Sequence, residues 1–107
     1  MTNELWRNSA LDLAEGIRSK KFSSREVVDA HLARIDEVNA KVNALIHVMA
    51  DEARAGADAA DKALAQGGPV GPLHGVPYTV KINIDVAGQA TTQGIPALAQ
   101  ALSLIHI

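Results

Sequence analysis

A chain of 107 residues, 48% hydrophobic and 21% charged, has enough apolar material for one core and too much for a disordered segment. Its net charge of -2, with Lys and Arg spread out and balanced by Asp and Glu, excludes the basic footprint of a nucleic-acid or anionic-membrane partner and points to a small-molecule one. The chain has no cysteine, which removes disulfides and thiolate metal sites. Met1 to Trp6 lack the basic and apolar regions of a signal peptide, and the apolar runs fall far short of a membrane span, so a cytoplasmic location is expected.

In chain order, Ser9 is a candidate N-cap followed by Ala10, Leu13, Ala14 and Ile17, apolar at helical spacing, which predicts a short amphipathic helix to about Ser19 with Gly16 as its weak point. Ser23-Ser24-Arg25-Glu26 fits a capping box. Behind it Val28, Leu32 and Ile35, flanked by Val27, His31 and Val38, make the stripe of a second helix that Asn39 should end. The run Val42, Ala44, Leu45, Ile46, Val48, Met49 suits a strand or extended segment. Glu52 to Gln66 is rich in Ala, Leu, Lys, Arg and Glu, which favours a third helix, stopped by Gly67-Gly68-Pro69. A loop continues through Gly71-Pro72.

From Tyr78 to Val86 polarity alternates: Tyr78, Val80, Ile82, Ile84 and Val86 on one face, Thr79, Lys81, Asn83 and Asp85 on the other. This predicts a strand with one buried face and Lys81 central on the polar face. Taken alone, a mid-strand lysine reads as part of a solvated face. Gly88, Thr91, Thr92, Gly94 and Pro96 make a turn-rich segment. His31, His47 and His74 have no spacing that would join them as metal ligands and read as structural, as do Asp51, Glu52, Asp58 and Asp61 on the solvated side of an Ala-rich helix.

Gly71-Pro72-Leu73-His74-Gly75-Val76-Pro77-Tyr78-Thr79-Val80-Lys81, with Asn83, Gly88 and Thr91-Thr92-Gln93-Gly94, resembles the segment around the lysine of amidase signature enzymes. The helix start at Ser23 and the Asn43-Ala44 pair are also similar to that family, so the resemblance covers nearly all of residues 4 to 98. It implies an α/β fold in which N-terminal helices lead into the first strands of a mixed sheet. It also implies amide hydrolysis by a nucleophilic serine, a second serine in a cis peptide bond, and a lysine. Lys81 matches the lysine, and no residue here matches either serine, so the chain by itself is expected to be inactive. The substrates implied are a small amide and water, with no cofactor. The chemical demand on the lysine is plain: an ordinary ammonium is protonated at neutral pH and accepts nothing, so burial and hydrogen bonding must favour the free amine. Ile82 stands where the family usually carries Asp or Glu, a departure that bears on subgroup.

Two other functions fit the same residues. One is the glutaminase subunit of a transfer-RNA-dependent amidotransferase, which uses the same lysine but usually has Asp after it. The other is a binding or scaffold module without chemistry. Residues 1–101 are expected to be the N-terminal part of an amidase domain. Leu102-Ser103-Leu104-Ile105-His106-Ile107 reads as translated sequencing adapter, with an apolar tail closing a strand as the alternative.

Overall fold

The computed structural model describes residues 2–90, and their architecture is helical. A 3-10 segment, Thr2–Arg7, precedes α1 (Ala10–Arg18), α2 (Ser24–Val42) and α3 (Ala50–Ala65). Residues up to Pro77 form one compact unit, and Tyr78 begins a second.

α1 starts where Ser9 is extended and its hydroxyl accepts the Asp12 N–H at 3.1 Å. Leu13, Ala14 and Ile17 turn inward, 1–3% exposed. Gly16 is not the weak point that helix propensity alone predicts. A Cβ there would lie 2.0 Å from the Phe22 Cζ, so the bare backbone of Gly16 is the surface on which the Phe22 ring packs. The chain then reverses through Lys20, whose φ of 62° is left-handed.

α2 is capped as the sequence predicts: Ser23 accepts the Glu26 N–H at 3.0 Å and its hydroxyl donates to Glu26 Oε1 at 3.5 Å. Asn39 does not end the helix, which runs on to Val42 before Asn43 closes it in the left-handed conformation at φ 48°. The Asn39 side chain instead donates to the Leu45 carbonyl at 2.8 Å and accepts the Leu45 N–H at 3.0 Å. Both backbone groups that Leu45 would offer a neighbouring strand are thereby used, and residues 43–49 are irregular rather than extended.

α3 brings Asp51 and Glu52 to its first turn and lays Ala50, Ala53 and Ala57 against Val28, Leu32 and Ile35 of α2. Small side chains on one helix let the larger ones of the other fill the contact. The second cluster joins Leu5, Leu13, Ile17, Val27 and Ala30, with Phe22, Leu64 and Val76 packed on it. Asp29 ties α2 to α3, accepting from Arg54 at 3.0 Å and from Arg25 at 3.1 Å, while Arg25 reaches Asp58 at 2.8 Å. Arg54, and after it Arg25, hold Asp29 below the usual carboxylate range against an opposing desolvation. At the amino end, the guanidinium groups of Arg34 and Arg7 lie over the Trp6 ring, 4.2 and 4.7 Å from its centroid.

The strand predicted over Tyr78–Val86 does not form. Residues 78–81 are irregular, the Ile84 N–H turns back to the Lys81 carbonyl at 3.0 Å, and the Gln89 N–H bonds the Val86 carbonyl at 3.0 Å. Ala87 and Ala90 each sit in an isolated β-bridge. A strand exists only by pairing, and the described residues hold no second strand, because the Leu45 run is tied to Asn39. Tyr78 is accordingly 84% exposed, Val80 43% and Ile84 45%. The Thr91-Thr92-Gln93-Gly94 turn and residues 102–107 lie outside the described residues.

Candidate functional site

The motif falls into two parts that the fold treats differently. Residues 71–77 belong to the helical unit, and Lys81 to the next. In the first part, local bonds from His74 N–H to the Gly71 carbonyl (3.2 Å) and from Val76 N–H to the Leu73 carbonyl (3.1 Å) wind a compact turn. Each of the three helices then holds it. From α1, Arg18 Nη2 donates to the Pro72 carbonyl at 3.1 Å. From α2, the Ser24 hydroxyl donates to the Gly75 carbonyl at 2.6 Å. From α3, the Ala60 carbonyl accepts from His74 Nε2 at 2.8 Å, which fixes the proton of a neutral ring on Nε2.

Gly75 is glycine for two reasons. Its φ is 81°, and a Cβ would come within 3.0 Å of Ser24 Cβ and 3.3 Å of Ile17 Cδ1. Gly75-Val76-Pro77 is thus turn chemistry packed against the core, with Val76 on the cluster of Leu5, Leu13 and Ile17. Sequence reasoning missed the clamp. A signal for it exists in the doubled serine: one hydroxyl of Ser23-Ser24 suffices to cap α2, which leaves the other needing a partner.

A cavity of about 350 Å³ opens beside the start of α2, lined by Lys20, Lys21, Phe22, Glu26 and Asp61 among others. Its anion-binding feature is already filled, since Asp61 accepts the Ser24 N–H at 2.7 Å and the Arg25 N–H at 3.0 Å. Asp61 is therefore a long-range cap of α2 rather than a solvated charge. His31 Nδ1 donates to the Val27 carbonyl one turn back at 2.7 Å. No group of His, Asp or Glu side chains able to hold a metal occurs among the described residues, and no helix among them is long and apolar enough to cross a membrane.

Lys81 is exposed, and its carbonyl closes the turn to Ile84. The described residues bring none of the sequence-predicted chemistry to it, so its reading rests on the match of the surrounding residues to known proteins.

The model of the amidase family matches residues 26–104. The chain belongs to the amidase family. It is 46% identical over 93 residues to the indoleacetamide hydrolase of Bradyrhizobium diazoefficiens, covering 87% of this chain and 18% of that one. It is 45% identical over 98 residues to a glutamyl-tRNA(Gln) amidotransferase subunit of Paenarthrobacter aurescens (88% and 19%), and 41% over 96 residues to the mandelamide hydrolase of Pseudomonas putida (90% and 19%). The chain thus spans about a fifth of the length of these curated relatives. A solved structure described as a vestigial protein complex that reveals the evolutionary origins of an s-triazine catabolic enzyme superposes with a TM-score of 0.85 at 34% identity, over 89% of this chain and 21% of that one. The fold class expected from the motif therefore holds at the level of the family, and the described residues supply its helices.

Proposed function

We propose that the complete protein carrying this chain is an amide-bond hydrolase in which Lys81 is the proton-relay lysine. The supporting observation is that the amidase match, residues 26–104, runs continuously through the glycine–proline turn and Lys81, in a chain 46% identical to an indoleacetamide hydrolase. In this reading the free amine of Lys81 takes a proton from a bridging serine, which takes one from the nucleophilic serine as the latter attacks the amide carbon. Backbone amides stabilise the oxyanion, and the same proton returns to the departing amine. Water then releases the acyl group. Both serines are contributed by residues other than those matched here, so the 107-residue chain alone does not turn over amides. The substrate is a small amide, and the protein works in the cytoplasm.

A second reading is favoured by the similarity to the glutamyl-tRNA(Gln) amidotransferase protein, 45% over 98 residues. It would make the complete protein a glutaminase with partner chains. Ile82 in place of the usual acid weighs against it. The experiment is to recover the full reading frame from the source DNA, purify the product, and assay indoleacetamide, mandelamide and glutamine. Hydrolysis of indoleacetamide or mandelamide by the protein alone supports the first reading, and ammonia release from glutamine only with a co-purifying partner protein supports the second. A frame that stops at Ile107, or a folded full-length protein inert on all three, overturns both and leaves a binding module.

A further inference from the structure

Ser24 is the buried polar side chain of the described residues, 1% exposed, and the helix does not need its hydroxyl. Ser23 already caps α2, and Asp61 takes the Ser24 and Arg25 N–H groups. The Ser24 O–H instead spans 51 residues of sequence to the Gly75 carbonyl at 2.6 Å. At that contact the glycine is demanded both by its φ of 81° and by Ser24 Cβ and Oγ, 3.0 and 3.1 Å from where a Cβ would stand. The match of bond, backbone and space makes this a fitted junction rather than a surface contact. Val76 and Pro77 follow it directly, the proline with its φ fixed by its ring, and Lys81 comes four residues after Pro77.

From this we infer that Ser24 is a positioning residue: its bond to Gly75 holds the Gly75-Val76-Pro77 turn, which ends four residues before Lys81. The inference rests on the amidase reading of Lys81. It assigns to the helical unit a part in the chemistry, exerted through the turn and not through contact with substrate.

The test compares Ser24→Ala with Ser23→Ala in the full-length protein. Both remove a serine hydroxyl from the start of α2, and only the first touches the turn. Both are expected to lower Tm. Ser24→Ala is expected to lower kcat by about 10- to 100-fold with KM changed less than about twofold, whereas Ser23→Ala keeps kcat. If Ser24→Ala does not fold, Ser24→Cys keeps the size and weakens the bond, with an expected loss of about threefold or more in kcat. Wild-type kcat in a folded Ser24 variant, or an equal kcat loss in Ser23→Ala, overturns the positioning role while Lys81→Ala stays inactive. Full activity of Lys81→Ala would instead remove the reading on which it rests.

Discussion

Residues up to Pro77 and residues 78–90 differ in where their groups find partners. In the first, Ile17 is 1% exposed and Val27 0%, and the starts of α1 and α2 have donors met by side chains: Ser9 for α1, Ser23 and Asp61 for α2. In the second, three apolar side chains of an alternating pattern are exposed, and the Ile84–Lys81 and Gln89–Val86 backbone bonds are short-range turns. Helices satisfy their backbone from within, whereas a strand borrows its stability from whatever lies beside it. The part of the motif that carries Lys81 is thus the one whose local structure the sequence defines least.

The largest expected effect that sharpens this contrast is a paired truncation in the 107-residue chain. Ile17→Ala should cost about 2–5 kcal/mol by opening a cavity at a fully enclosed site, while Ile84→Ala should change stability by less than about 0.5 kcal/mol. Trp6, the single tryptophan, lies in the helical unit and reports its unfolding by fluorescence. Equal losses at both positions would break the contrast.

Gly16→Ala comes next, and its sign is informative. Helix propensity alone predicts a gain of about 1 kcal/mol, but a methyl 2.0 Å from the Phe22 ring should turn this into a loss of about 1–3 kcal/mol. A raised Tm would show that Phe22 does not pack there. Asp61→Ala leaves two N–H donors of α2 without their acceptor, and a loss of about 1–2 kcal/mol is expected in urea unfolding. Full retention of stability would return Asp61 to a solvated face.

The smallest effect is the acid response of the α2–α3 tie. The Asp29 value is lowered in the folded state, so its contribution is complete above the ordinary aspartate value of about 3.9 and is lost as pH falls through the folded one. Both Asp29 and its partners are over 40% exposed, which keeps the effect small and salt-sensitive. Asp29→Asn should flatten that part of the Tm–pH curve below about pH 5, and an unchanged slope would assign the acid response to other carboxylates.

The three helices were legible because their signals are local: Ser9 and Ser23 as caps, apolar residues at helical spacing, and Gly67-Gly68-Pro69 as a stop. The end of α2 was not, since Asn39 reads as a terminator until its amide is seen bonded to Leu45 six residues on. Alternation over Tyr78–Val86 states which side chains a sheet would bury and cannot supply the sheet. Lys81 was found through the motif around it, and the clamp of Arg18, Ser24 and the Ala60 carbonyl on residues 72–75 was hidden because those contacts span 14 to 54 residues of sequence.

The most direct test of the central claim is amide hydrolysis by the full-length protein with Lys81→Ala beside the wild type. Loss of about 10²- to 10⁴-fold in kcat in a protein that still folds is the predicted result. Undiminished turnover in a folded Lys81→Ala protein would contradict the claim and send the search for the base elsewhere in the family fold.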